Sequence, residues 1–393
     1  MNLNKKVLFI ILSLFFISPT SLANIYEDWY NEVWTIINNE FYDNTYNGQN
    51  WIVWKNRYNK NLNTEQDAVI AINTMVQSLD DHYSYFIPPA QNKTTMDNLA
   101  GKAYGLGIII QLINDDLTIA YLEENSPAIK NGLKTGDIIE SINNKPLKGL
   151  PFEKRANLLN GKVGDKFDLK IRRKNENTKT YTLTYEEYEI DSIDTEITNS
   201  KIKIPNNIIY IKIESFGNKR VAHQLYNNIK GKKDLKGLII DLRDNGGGLV
   251  DRAATVGNMF IQNSKLVTIV DRNGKEDVIN ANEHLLSDVP IVVLVNENSA
   301  SASEILAAAF KDTKRATIVG KKTFGKGIVQ DVKKLSGGAG FIVTTKKYLT
   351  PNGNNIHKIG VKPDIEVDYP YFLYKLGYDP QLSKAISILK NKK

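Results

Sequence analysis

Two short stretches constrain the fold of this chain more than any others. Leu238-Ile-Ile-Asp-Leu242 and Val289 to Val295 are nearly continuous apolar runs of β-forming residues. A run that is apolar at successive positions has no wet face. Both therefore read as strands buried on both sides, the habit of a sheet covered by helices. Each ends in a break and then a helical pattern. Arg243-Asp-Asn-Gly-Gly-Gly248 leads into Val250 to Phe260, and Asn296-Glu-Asn-Ser-Ala-Ser-Ala-Ser303 leads into a helix from Ser303 to Phe310. A strand at Asn207 to Ile213 and an amphipathic helix at Val221 to Ile229 precede them. This alternation predicts an α/β layered core over residues 189–393.

In such sheets ligands gather at the carboxyl ends of strands, so the two breaks are the first places to look for chemistry. Gly246 to Gly248 let backbone N–H groups approach a ligand closely, at a helix start that favours negative charge. No Lys-Ser/Thr pair follows the glycines, which excludes a phosphate-binding P-loop. The second break holds Ser299, Ser301 and Ser303. Ser301-Ala-Ser-Glu304 fits a helix capping box, and taken alone the stretch favours that structural role.

A nucleophilic serine needs a base. The sequence has four histidines. His284 and His357 fall in polar, loop-like stretches and His82 in the N-terminal region, so a Ser-His-Asp triad is poorly supported. Lysine is the other choice. Lys326 lies between Gly325 and Gly327, with Phe324, Ile328 and Val329 close by. A free lysine has a pKa near 10.4 and is no base at neutral pH, but burial disfavours its charged form.

The rest of the sequence divides by pattern. Lys5 and Lys6, the apolar run Val7 to Ile17 and the small residues around Ala23 have the layout of a secretory signal over 1–23. The apolar run is shorter than the roughly 20 residues a membrane span needs. Export to a periplasmic or other extracytoplasmic compartment is expected, with membrane association left open. Residues 24–98 read as a helical domain: apolar residues recur at helical spacing, Thr64-Glu-Gln-Asp67 offers an N-cap, and Pro88-Pro89 marks its end. Residues 99–188 are strand-rich, with short helices at Ser126 to Gly132 and Pro151 to Leu159. The net charge of +7 is spread along the sequence as a solvated basic surface, without a nucleic-acid footprint. Zero cysteines exclude disulfides and thiol chemistry. No metal or cofactor is expected.

Tyr104-Gly-Leu-Gly107 and "SPAIKNGLKTGDIIESIN" resemble a PDZ domain, β-rich with two helices. The resemblance implies that the 104–107 loop binds the C-terminus of a polypeptide, which adds a strand to the sheet edge. "LIIDLRDNGGG", "NENSASASEIL" and "GKKTFGKGIVQ", in this order behind it, resemble the carboxy-terminal processing proteases, Ser-Lys endopeptidases of family S41. Leu79-Asp-Asp-His-Tyr-Ser84 and "YLTPNGNNIHKIGVKPDIEV" are similar to further family segments.

The resemblance implies a multidomain α/β protein with a crotonase/ClpP-like layered catalytic core. It implies Ser301 as nucleophile, Lys326 as base and Gln330 as third member. An even offset on one strand would put Gln330 on the face of Lys326. The oxyanion is expected at the N–H groups of Ala302 and of Gly246 or Gly247. Protein or peptide substrates with unstructured C-termini are the expected partners; an adaptor protein and a homodimer stay open. The family's usual Leu-Arg-Gly is Leu159-Asn160-Gly161 here, which puts the coupling of ligand binding to catalysis in doubt. Two other readings are a catalytically inactive PDZ scaffold and, more weakly, a crotonase-like acyl-CoA enzyme, for which fold analogy is poor evidence.

Overall fold

The computed structural model describes residues 24–391, apart from 100–101, 124, 174–175, 190–191, 198–199 and 233. The export segment expected at 1–23 lies outside these residues.

The two apolar runs are adjacent strands of one sheet. Its order is Ile193–Asp194, Ile208–Ile213, Gly237–Asp241, Ile291–Val295, Ala316–Gly320 and Ile365–Glu366, all parallel but for the first pair. Successive side chains point to opposite faces and both faces are covered. Leu238, Ile240, Ile291, Val293 and Val295 pack under the helices Val221–Ile229, Val250–Asn258 and Ala302–Asp312. Ile239, Val292 and Leu294 pack against the C-terminal helix Pro380–Asn391. The expected layered core is present, with element ends within about two residues of those read from the pattern.

A second, antiparallel sheet leans on this core. In it Gly340–Leu349 pairs with Tyr85–Ile87, Lys265–Asp271 and Ile328–Lys334. The helices Ile25–Glu40 and Glu65–Gln77 pack on the same sheet. Trp29, Ile37, Ile72 and Met75 share one cluster with Leu335, Phe341 and Val343. Thr64 and Asp67 form the capping box that starts the second helix. The N-terminal helices thus share a core with the second sheet. Pro88-Pro89 does not end helical structure, since Pro89 begins the helix Pro89–Leu99. Proline suits a first helical position, where its missing N–H has no partner to lose.

Residues 102–189 form a separate unit with its own apolar cluster, including Leu117, Ile119, Ile139, Phe167 and Leu183. Its sheet runs Ile108–Ile113, Asp116–Leu122, Ile138–Ile142, Lys166–Arg172, Lys179–Thr184. Ser126 caps the short helix Pro127–Lys130, and a second helix spans Phe152–Asn157.

Candidate active site

The two strand ends meet. The Ala300 N–H and the Ser303 hydroxyl both donate to the Asn245 carbonyl at 3.0 Å, and Ser299 Oγ donates to Leu242 O at 2.7 Å. Ser299 and Ser303 are fully buried and tie the serine turn to the glycine turn. Gly247 approaches so closely that a Cβ there would lie 2.8 Å from Ser301 Cβ and 2.9 Å from the Ala302 nitrogen. The glycine turn is anchored in turn by Asn245 Nδ2 to Ile213 O and by Phe216 N–H to Gly247 O. Asp241 and Arg243 flank it in a buried ionic network in which Arg243 also pairs with Asp379 and Asp241 accepts the Tyr210 hydroxyl.

Ser301 occupies the N-cap of Ala302–Asp312 at φ 55°, ψ −117°. A non-glycine residue there costs of order 1–3 kcal/mol and persists only where its surroundings over-determine it. Glu304 is one such constraint. Its carboxylate is fully buried, and Oε2 accepts the Ser301 N–H at 2.9 Å. The Glu304 half of the capping box read from the sequence therefore exists, while Ser301 makes no side-chain cap hydrogen bond; Glu304 also has a second task.

Lys326 lies on the loop that follows strand Ala316–Gly320, and Glu304 also holds this loop. Oε2 accepts the Lys326 N–H at 2.8 Å, and Oε1 accepts the Gly325 N–H at 2.7 Å and the Thr323 hydroxyl at 2.6 Å. Tyr348 bridges the same two residues from the other side, its hydroxyl donating to Lys326 O at 2.6 Å and Ser301 O at 3.1 Å. Burial pushes the Lys326 ammonium below the ordinary lysine pKa, partly opposed by the charges of Asp81 and Glu304.

The covering group differs from the expected one. Phe324 is exposed, and the ring nearest the ammonium belongs to Tyr83, with Nζ 4.8 Å from its centroid. Tyr83 comes from the 79–84 segment at the end of the N-terminal helices. Its N–H donates to Asp81 Oδ1, Ser84 Oγ donates to Asp81 Oδ2, and the Thr344 N–H donates to Ser84 Oγ.

Gln330 also departs from the expected geometry. The strand begins at Ile328, so Lys326 is outside it, and the register shifts between Val329 and Gln330. Counting an even offset along one strand does not apply. The Gln330 amide donates to Thr344 Oγ1 at 3.3 Å, which links it to the Ser84–Asp81 network. The Gly247 N–H, one of the expected oxyanion donors, is held by Asn245 Oδ1 at 2.9 Å. Ala302 is the first helical residue, where the N–H has no intrahelical acceptor.

His357 lies nearer than its loop-like sequence suggests. Its backbone abuts Gly327, where a Cβ would fall 2.5 Å from the His357 nitrogen. Burial and the neighbouring Lys358 lower its pKa. Among the described residues no histidine hydrogen-bonds Ser301. Glu304, Tyr348 and Tyr83 carry no role read from the sequence; their signals are the capping spacing of Glu304, the 79–84 segment for Tyr83 and the family-like segment that begins at Tyr348.

Tyr104, Gly105, Leu106 and Gly107 line one end of a groove of about 290 Å³ that continues along Ile108 to Ile110 and reaches Leu159 and Asn160. Gly107 has φ 70°, and a Cβ on it would fall 2.0 Å from Ser126 Cβ.

The PDZ domain profile matches residues 105–184 and the peptidase family S41 profile matches residues 207–367. A carboxyl-terminal-processing protease of Synechocystis is 34% identical over 345 residues, covering 86% of this protein and 80% of the relative. Carboxy-terminal processing protease CtpA of Bacillus subtilis is 35% identical over 320 residues, covering 80% and 67%. The solved structure of the photosystem II D1 C-terminal processing protease is 30% identical, with a TM-score of 0.58 over 87% of this protein and 93% of that one.

Proposed function

Because the protein belongs to the carboxyl-terminal processing proteases of peptidase family S41, a serine endopeptidase family, we propose that it is exported and cleaves proteins presenting an unstructured C-terminal tail, with Ser301 as nucleophile and Lys326 as base. The observation that carries the dyad is the single carboxylate of Glu304, which binds the main chains of both residues while the half-buried lysine lies against Tyr83.

Substrate binding begins at the groove along Ile108 to Ile110, where a C-terminal tail adds as a strand and its carboxylate meets the Tyr104–Gly107 loop. At the core, neutral Lys326 takes the Ser301 hydroxyl proton as the oxygen attacks the scissile carbonyl. The resulting lysinium protonates the leaving amine, leaving an acyl-enzyme. Water then repeats the sequence, with the lysine again as base, and releases Ser301. The oxyanion meets the Ala302 N–H and one N–H of the Gly246–Gly247 turn; use of Gly247 requires release of Asn245 Oδ1. One such donor is worth about 2.7–4 kcal/mol. Gln330 acts through Thr344 as a positioning residue for the Asp81–Ser84 segment that covers the lysine.

The test is phosphonylation by a serine-directed fluorophosphonate probe, with loss of fluoride, together with cleavage of a tailed peptide. Wild type should label and cleave, and Ser301→Ala should do neither. Lys326→Arg should also fail, since a guanidinium does not deprotonate in proteins. A wild-type protein that neither labels nor cleaves is the outcome expected of an inactive PDZ scaffold, and full activity in Lys326→Arg would remove the lysine as base.

A further inference from the structure

The segment Tyr369-Pro-Tyr-Phe-Leu-Tyr-Lys-Leu-Gly-Tyr378 stands out from the rest of the surface. It follows the last strand of the parallel sheet and precedes the C-terminal helix, with the short helix Tyr371–Lys375 at its centre. Its apolar side chains face outward: Tyr371 is 69% exposed, Phe372 62%, Leu376 58%, Tyr378 49% and Tyr374 41%. Isolated exposed apolar residues are ordinary on a soluble protein, but a contiguous aromatic patch marks a surface that something covers. The patch is also ordered within itself. Tyr374 packs against both Tyr369 and Tyr371, and the Lys375 ammonium lies 5.3 Å from the Tyr371 ring centroid.

Charge selects the occupant. No acid lies between 369 and 378; of the flanking acids, Asp368 shares Lys321 with Glu366, and Asp379 is buried against Arg243, which also pairs with Asp241. On the other side the Lys201 N–H donates to Gly377 O, which brings the exposed Lys201 and Lys203 beside the patch, next to exposed Lys375. The result is tyrosine, phenylalanine and leucine rimmed by lysine. Aromatic rings with polar tips settle at the headgroup level of a bilayer, and lysine adds attraction to anionic lipid. Ten residues are also few for a stable protein interface, which needs roughly 20–30 residues a side. Among the described residues no helix is long and apolar enough to cross a membrane, so the contact would be peripheral.

We propose that residues 369–378 form a peripheral docking surface for anionic phospholipid bilayers. Docking there has a consequence for catalysis. Arg243, two residues beyond the end of strand Gly237–Asp241, lies 5.5 Å from the ring centroid of Tyr369. A membrane contact at the patch therefore sets the glycine turn close to the lipid surface, where tails of membrane-bound proteins are presented.

The experiment uses the protein from Asn24 onward, which contains every described residue and lacks the apolar N-terminal run. Co-sedimentation is measured with vesicles of phosphatidylglycerol and phosphatidylcholine in equal parts, and with phosphatidylcholine alone. Wild type should partition onto the anionic vesicles, and less so as salt is raised. The variant Tyr371→Ser/Phe372→Ser/Leu376→Ser should partition at least about tenfold more weakly, since interfacial binding scales with buried apolar area. Should that variant melt below wild type, Lys201→Glu/Lys203→Glu serves instead, with a severalfold loss expected on anionic vesicles. Thermal melting and soluble-peptide cleavage are measured in parallel, so a failure of docking is separable from a failure of the protease reading. Three outcomes overturn the proposal: a wild-type protein that stays in the supernatant, equal partition of wild type and both variants, or a wild-type dimer that the triple variant dissociates. The last would assign the patch to a second copy of the protein.

Discussion

The main chains of Ser301 and Lys326 are joined at one atom: both N–H groups donate to Glu304 Oε2, at 2.9 and 2.8 Å. Residues 25 positions apart in sequence are thereby fixed relative to one another by a side chain three residues after the first. Oε1 extends the joint to Thr323 and Gly325. A carboxylate suits four donors, and the first turn of a helix favours its charge. Glutamine keeps the shape but turns an NH₂ toward N–H donors. Glu304→Gln is therefore expected to lower unfolding stability by about 3 kcal/mol, the range for a charged hydrogen-bond site left unsatisfied. Its kcat should fall further than the unfolded fraction explains. Urea denaturation alongside kcat under folded conditions checks both, and a glutamine variant matching wild type in the two measurements would dismiss the joint.

Lys326 makes a second prediction, on stability. Its native pKa lies below the ordinary lysine value because burial disfavours the ammonium. The unfolded state therefore holds this proton to higher pH than the native one, and stability rises with pH wherever that is so. Below the native pKa the folded state bears the full penalty of a charged, half-buried group. The penalty shrinks as pH rises through the native pKa and is gone above about 10.4, the unfolded value. Lys326→Met keeps the apolar stem and drops the charge. At neutral pH it should be inactive yet more stable than wild type, with the difference in Tm closing as pH approaches 10. A methionine variant less stable than wild type at pH 7 would contradict a lysine strained by burial.

Gly247 gives a third. It has φ 103°, a region that favours glycine, and a Cβ would meet Ala300 O at 2.7 Å as well as Ser301 Cβ at 2.8 Å. Gly247→Ala should push the glycine turn away from Ser301, the proposed nucleophile, reducing kcat by about 10²-fold or more, the effect of one lost oxyanion donor. KM for a tailed peptide should change little, because the groove near Tyr104 is untouched. Steady-state kinetics separates the two, and an unchanged kcat would show that the turn does not serve the oxyanion.

What could be read from the sequence follows from the range of the interactions involved. The strands Gly237–Asp241 and Ile291–Val295 announced themselves because burial on both faces leaves a continuous apolar run. Ser301 and Lys326 were visible through their short glycine- and serine-rich motifs. The cover over the lysine was not, because Tyr83 arrives from 243 positions upstream through the packing of the N-terminal helices on the strand Gly340–Leu349. Phe324 is two residues away in sequence but exposed. Gln330 was misplaced for a related reason: parity along a strand holds only within it, and Lys326 precedes the strand while a register shift precedes Gln330. Pro88-Pro89 looked like a stop, yet proline at the first helical position is a start.

The same long-range cover sets the last expectation. The charge of Asp81 raises the Lys326 pKa, working against burial. Removing it should let the pKa fall further and move the rising limb of the kcat/KM profile to lower pH, since neutral lysine is the competent form of the proposed base. Asp81→Asn is suited to this because the network survives it. Asn keeps an oxygen for the Tyr83 N–H, and the Ser84 hydroxyl, which now donates to Asp81 and accepts the Thr344 N–H, can turn to accept the new amide. Ser84→Ala breaks the same network without changing charge and serves as the control. It should lower the rate at all pH values and leave the limb where it is. A purely structural role for Asp81 predicts that the two variants behave alike. An Asp81→Asn profile that stays in place or moves to higher pH would mean that this carboxylate does not tune the lysine.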